Sequence, residues 1–478
     1  MTNHSSTFTR RQGLIGAAAG AGALLLPGST LAQPVRTFRP EDFGARGDGR
    51  TNDTLAFAAM SQAVRQAGGG TIVLGRKTYR VGQQRPGNGR DFAFEPLDVI
   101  KLAGLPGPLE IAGNGAVLRT AAGQRFGGFE RSGEQSRRKM PNYDRATQAT
   151  PYIAMIWVEN CRGPVTISGL ELDGAIAEGR LGGFYGDTGR QIPMSGLFLR
   201  DNAGDEVVSD LYSHHHGLDG FIIDGIDRTT DRRRSIARIR SLHNGRQGCS
   251  VVGGRGYVFS DCTFGNTGSG TVTSAPGAGL DIEAEGGKVV ERLQFSKCRF
   301  LDNIGAAMVA DSGTSRNVAF ADCEFVGTRS WSAWPSKPGY SFTRSSFIGA
   351  LVRPWGDADP ALATRFTDCT FRDTDPQGRY ARPYLPSEAG GPILDAGGAQ
   401  GGGLNVLLQG CRVTCTARGV LPWSTGVIFQ DCTMSQTSPA ASYPRGRYRG
   451  SNRITGNALI DGSRIEGSLV LNGRTVRG

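Results

Sequence analysis

One short motif recurs along the second half of this chain. It reads Ser-Asp-Cys-Thr-Phe at 260–264, Ser-Lys-Cys-Arg-Phe at 296–300, Ala-Asp-Cys-Glu-Phe at 321–325 and Thr-Asp-Cys-Thr-Phe at 367–371. It returns as Gln-Gly-Cys-Arg-Val at 409–413 and Gln-Asp-Cys-Thr-Met at 430–434. Each copy sets a small apolar residue and a larger one two apart among polar neighbours, the alternation of a strand with one buried face. Recurrence every few tens of residues makes each strand one rung of a solenoid. A rung buries its apolar face only against the rungs above and below it. The 478 residues and 72 glycines suit many short strands joined by tight turns. The expectation is an all-β solenoid.

The cysteines obey the same repeat. Six of the nine, Cys262, Cys298, Cys323, Cys369, Cys411 and Cys432, fall in one slot of successive copies. That predicts a buried column of reduced thiols acting as small apolar side chains. Cys411 and Cys415 are four apart in a predicted strand, too far to close a disulfide while it stays extended. No metal ligand set is read from them.

The middle of the chain aligns on its glycines: Gly196, Gly220, Gly248, Gly279 and Gly305. The first and third residues after each are apolar, so Leu197/Leu199, Phe221/Ile223, Cys249/Val251, Leu280/Ile282 and Ala306/Met308 should point inward. The second and fourth then face outward, and there stand Arg200, Asp224, Asp281 and Glu283, with Glu285 continuing the row. Asp281 and Glu283 are about 7 Å apart along a strand, and Asp224 is two rungs away, roughly 9.5 Å. Carboxyls at that separation leave room for a water, the geometry of inverting glycoside hydrolysis, with one acting as acid and the other as base. The same row also suits Ca²⁺, substrate contact or plain surface charge; no other cofactor is expected.

The turns entering these strands carry His214, His215, His216 and Asp219, then His243, Asn244, Arg246 and Gln247. His216 and His243 read equally as proton shuttles or as turn residues. Arg246 and Arg200 are placed to hold a uronate carboxylate, with Asp219, Gln247 and Glu285 beside them. Asn244 and Asn303 read as stacked bend asparagines. The segments 328–341 and 372–390 read as loops that leave the coils, and 436–455 as irregular.

The formal charge of +11 points to an acidic partner: an anionic polysaccharide, a nucleic acid or a membrane surface. Nucleic acid is disfavoured, because there is no zinc-finger spacing and no basic helix with interleaved aromatics. Thr9-Arg10-Arg11-Gln12, the apolar run 13–27 and Thr30-Leu31-Ala32 read as a signal peptide over 1–32. The paired arginines resemble a twin-arginine signal, and an ordinary secretory route stays open. The expected location is periplasmic or secreted, with no membrane partner once the signal is removed.

Asp-Phe-Gly-Ala-Arg-Gly-Asp-Gly at 42–49, Thr-Asn-Asp-Thr at 51–54, a helical stretch at 55–67 with Thr51 or Asn52 as its N-cap, Gly-Gly-Gly-Thr-Ile-Val-Leu at 68–74 and Tyr-Arg-Val at 79–81 follow in order. Together they resemble the N-terminal region of the pectate-lyase superfamily. The resemblance implies a single-stranded right-handed parallel β-helix. Residues 37–100 would form an N-terminal cap with its capping helix and the first coils, and 101–478 the β-helix with loop insertions. Members include polygalacturonases, tailspike depolymerases and mannuronan epimerases. The Asn-Thr-Asp, paired Asp, Gly-His-Gly and Arg-Ile-Lys of polygalacturonases and the Asp-Pro-His-Glu of epimerases are absent here, so no catalytic residue carries across. Three functions stand: a glycoside hydrolase on an acidic polysaccharide, a uronate lyase or C5-epimerase, and a non-catalytic carbohydrate binder.

Overall fold

The computed structural model describes residues 36–477 apart from 89, 137–138, 141–144, 186–190, 227–231, 375–390 and 398–399. The leader expected at 1–32 and most of the insertion at 372–390 lie outside the described residues.

Parallel pairing runs rung to rung along the chain. One face stacks the strands Ile100–Ala103, Ala154–Glu159, Ser195–Arg200, Asp219–Asp224, Gln247–Arg255, Ala278–Ile282 and Met308–Ala310. Its inward columns are Ile156–Leu197–Phe221–Cys249–Leu280–Met308 and Val158–Leu199–Ile223–Val251–Ile282, all fully buried. A second face stacks Leu109–Thr120, Val165–Asp173, Glu206–His214 and Arg234–Leu242. Parallel crossovers of this kind take a right-handed course.

The cysteine motif is a corner rather than one strand. Val258–Ser260 and Thr263–Gly265 are separate strands, and Asp261 between them has φ 54°. Lys297, Asp322, Asp368 and Asp431 repeat that left-handed conformation, as does Gly410 at φ 65°. Aspartate tolerates this region better than most side chains, which accounts for its place before the cysteine. Both Cys262 and Phe264 still face the core. Two phenylalanine columns flank the thiols: Phe259, Phe295, Phe320, Phe342 and Phe366 stack at 4.4–5.1 Å between ring centroids, and Phe264, Phe300, Phe325, Phe347 and Phe371 at 4.8–5.7 Å. The nine cysteines are free and buried.

Four expectations are corrected. Residues 328–341 do not leave the coils: Glu324–Pro335 is one long strand whose Trp334 pairs with Val309. The stretch 436–455 is ordered into Pro444–Arg449 and Ser451–Thr455, and these pair in parallel with Arg464–Ile465 and Ser468–Leu471. The helix is Thr54–Ala67, and its N-cap is Asp53, not Thr51 or Asn52. The Asp53 carboxylate is turned back to accept from the amides of Arg46 and Gly47. Phe57, Met60 and Val64 join the main core. Gly305 is also two residues out of the glycine alignment, since Leu280 pairs with Met308 and Asp281 with Val309.

Candidate active site

Glycine is required where the alignment put it. A Cβ on Gly196 would lie 2.0 Å from Ser213 Oγ, and one on Gly220 would lie 1.9 Å from Ser241 Oγ. Those serines sit at the corners and donate to the carbonyls of Gly220 and Gly248. The close approach holds each strand start against the preceding corner. Asp219 and Gln247, just before Gly220 and Gly248, are thereby fixed at equivalent places on successive rungs.

Around them lies a buried polar cluster on the outer side of the first face. Arg246 grips Asp219 with two bonds, Nε to Oδ1 at 2.8 Å and Nη2 to Oδ2 at 2.5 Å. Ser250 Oγ donates to the same Oδ2 at 2.8 Å. Gln247 accepts from the Ala278 amide at 3.0 Å, which aims its Nε2 at Asp281 Oδ2, 2.6 Å away. Asp281 is 6% exposed and has no cation bonded to it among the described residues. Burial, then the neighbouring Glu283 charge, push its pKa up to about 8, against the opposing pull of Arg246. Glu283 accepts from Ser312 Oγ at 2.6 Å. The exposed Glu285 is also raised, by partial burial of its carboxyl and then by Glu283. For Arg246, burial alone would lower the pKa, but the Asp219 charge and hydrogen bond outweigh it and raise it.

The predicted row is not one group. At a register shift Asp224 pairs with Gly253 rather than Val252. Its carboxylate is held by Lys288 and by Arg200 at 3.2 Å. Lys288 also binds Asp201 at 2.7 Å. Asp224 and Arg200 therefore belong to an ion cluster beside the site, while Asp281 and Glu283 stay together. Nor do the histidines join that cluster. His216 is inside the coil, fully buried, with Nδ1 3.1 Å from Tyr152 Oη and Nε2 3.1 Å from the Leu172 carbonyl. Burial drops its pKa to about 3, so it is a neutral structural side chain. His243 stacks on His215 at 5.1 Å between ring centroids and lies 3.5 Å from Ser269 Oγ, at the corner ahead of the strand. Asn244 is the bend asparagine expected, accepting from the His216 amide; Asn303 does the same for Thr267.

The register also assembles residues that the sequence pattern did not single out. The outward column through Asp281 reads Lys101, Trp157, Phe198, Ile222, Ser250, Asp281, Val309, Trp334. Trp157 stacks on Phe198 at 5.3 Å and carries Lys101 Nζ 4.1 Å over its ring. At the other end Trp331 and Trp334 pack at 4.9 Å, with the Arg353 guanidinium 4.5 Å over Trp331. Aromatic faces with a cation at each end thus flank one buried acid. The strand Ala154–Glu159 has no glycine in the aligned slot, so Trp157 was invisible to the alignment.

No protein-family model matches the chain. Among curated proteins it is similar to Alginate lyase 7 of Azotobacter vinelandii, 42% identical over 64 residues, covering 13% of this chain and 7% of that protein. It is similar to the capsule KN3-specific Depolymerase 1 of Klebsiella phage KN3-1, 23% identical over 359 residues, covering 66% of this chain and 40% of that protein. The chain thus spans less than half the length of these relatives. Among solved structures, the A-module of the Azotobacter vinelandii mannuronan C-5 epimerase AlgE4 aligns over 91% of this chain and 100% of that one, with 17% identity and a TM-score of 0.45. With its stacked parallel rungs, the chain is a parallel β-helix.

Proposed function

We propose that this chain is an exported polysaccharide-active enzyme, a glycoside hydrolase on an acidic polysaccharide, with Asp281 as general acid. The observation that carries the reading is Asp281 itself. It is a buried carboxyl with a pKa near 8, so it holds a proton at neutral pH, as a general acid must. Along the outward column it stands four rungs from Trp157 and two from Trp334, whose rings suit stacking on sugar faces. From Trp157 to Trp334 is six rungs, about 29 Å at ~4.8 Å per rung, room for several sugar units on both sides of the acid.

In this reading Asp281 gives its proton to the glycosidic oxygen as the C–O bond breaks. Glu283, half-exposed and held by Ser312, takes a proton from the water that adds to the anomeric carbon. Asp219 and Gln247 position the acid: Asp219 anchors Arg246 and Ser250, and Gln247 holds Oδ2. Arg246, with its charge already matched by Asp219, is a supporting group rather than a free substrate clamp. No Ca²⁺ is needed for these steps.

The matches to an alginate lyase and a capsule depolymerase support an acidic polysaccharide as substrate, and the first favours elimination as a second reading. Incubation with alginate, polygalacturonate and bacterial capsular polysaccharides separates the two. New reducing ends without ultraviolet absorbance support hydrolysis. Absorbance from an unsaturated uronate moves the chemistry to elimination, and retention on a polysaccharide gel with neither signal leaves a binder. Among the described residues no helix is long and apolar enough to cross a membrane. Export rests on the leader at 1–32 and is tested by fractionating cells expressing the full chain.

A further inference from the structure

We propose that Asp173, His214 and His215 form a site for one divalent first-row transition-metal ion, at the corner that precedes the strand carrying Asp219. The three side chains each offer one ligand atom, and these atoms lie within 4.8 Å of one another. His214 Nδ1 is 2.6 Å from His215 Nδ1 and 3.6 Å from Asp173 Oδ1. Those spacings bracket the ~3.3 Å between donors of a tetrahedral ion with metal–nitrogen bonds of about 2.0–2.1 Å.

The fold arranges this convergence. Asp173 and His214 end neighbouring strands and are paired in register. His215 takes a left-handed φ of 54°, which turns the chain so that its ring returns to that of its neighbour. Each ligand is held by a further contact. His214 Nε2 is 3.3 Å from Glu171 Oε1, so an Nε2–H donated there leaves the Nδ1 lone pair facing the site, the arrangement that orients metal-binding imidazoles. Its ring also lies on Tyr212 at 4.1 Å. Asp173 accepts from the Ala175 amide at 2.8 Å through the same Oδ1 and pairs with Arg119 through Oδ2, which fixes the carboxylate and leaves Oδ1 a second lone pair. His215 is kept in plane by the parallel ring of His243. Asp173 and His214 are buried and His215 is half-exposed, so the donors are pre-set and an ion enters past His215.

Two imidazoles and a carboxylate select Zn²⁺, Co²⁺ or Ni²⁺ over Ca²⁺, which takes oxygen ligands. A bound ion would tie two successive rungs at the corner five residues before Asp219. The site differs from the expectation of no resident metal, and it stands or falls independently of the hydrolase reading.

The test uses untagged protein freed of metal by a chelator. Zn²⁺ is titrated by calorimetry, and Co²⁺ binding is followed by its visible absorption. One equivalent should bind, raise the unfolding midpoint and persist in excess Ca²⁺. His215→Ala, at a half-exposed position, should keep the fold by circular dichroism and weaken Zn²⁺ binding more than about tenfold, and Glu171→Gln should weaken it about tenfold. The proposal is overturned if the wild-type protein takes up no saturable equivalent, or if His215→Ala and His214→Gln bind Zn²⁺ as the wild type does.

Discussion

Gln247 Nε2 donates to Asp281 Oδ2 at 2.6 Å across adjacent rungs, the one hydrogen bond to that carboxyl among the described contacts. A donor on a carboxylate favours its charged form, so Gln247 restrains a pKa that burial and Glu283 push upward. An activity resting on protonated Asp281 should hold below pH 8 and fall as pH rises through about 8. Gln247→Ala removes the restraint. The alkaline limb of the kcat/KM profile should then move to higher pH, and a limb that stays in place would show that Asp281 is not the titrating acid.

Asp281→Asn keeps an oxygen for Gln247 and removes the proton. Turnover should fall by about 10²–10⁴-fold, the usual contribution of a positioned acid, with the circular dichroism unchanged. Stability gives a second readout. A carboxyl raised in the folded state contributes stability that is full below its unfolded value near 4, and that is lost as pH rises through about 8. Urea midpoints should therefore drop more from pH 5 to pH 9 in the wild type than in Asp281→Asn.

Much of the fold was legible because the same residue types return to the same slot. The limits of that legibility are equally physical. Ser345 and Asn452 fill the cysteine slot in further rungs, accepting from the Cys323 and Cys432 amides respectively, but neither resembles a cysteine in a string of letters. The corners break the two-residue alternation, so His216 could not be assigned to the inside from pattern alone. Asp281 and Glu283 were found because both lie beside one glycine in sequence. The cation that removes Asp224 from their company is Lys288, 64 residues away, and only the fold brings it there. Trp334 needed the true register, which the two-residue offset of Gly305 concealed.

The phenylalanine columns should behave as one core. Phe320 lies between Phe295 at 4.7 Å and Phe342 at 4.9 Å and is 1% exposed. Phe320→Ala should cost about 3–5 kcal/mol, read as the loss of unfolding free energy in denaturant. The cysteines beside it should be silent to a thiol reagent in the native protein, and all nine should react once it is unfolded.

The aromatic column predicts a split between binding and chemistry. Trp334 is two rungs from Asp281 and does not touch it, so Trp334→Ala should raise KM about tenfold, roughly 1.4 kcal/mol, with kcat nearly unchanged. Trp157→Ala should act likewise on long substrates and less on short oligosaccharides, which need not reach it. Equal kinetics for both variants and the wild type would remove the column from the binding surface.

A last prediction concerns a charge pair buried in the coil. Glu206 and Arg234 are paired on neighbouring rungs and are 1% and 3% exposed. Arg234 Nη1 bonds the Glu206 carboxylate and lies 3.0 Å from Tyr257 Oη, and its Nη2 donates to the Asn202 carbonyl at 3.1 Å. Asn202 Nδ2 donates to Glu206 at 2.9 Å. Burial already raises the Glu206 pKa, opposed chiefly by Arg234. Arg234→Met leaves the carboxylate without its cation and should cost about 3–5 kcal/mol at neutral pH. Its pKa would rise further, so the loss should shrink as pH falls and Glu206 takes up a proton. Pairing the change with Glu206→Gln removes the stranded charge. The double variant should recover most of the lost stability, since a buried ion pair replaced as a unit costs little. If the double variant is as unstable as Arg234→Met alone, the penalty comes from lost packing and not from the unpaired charge.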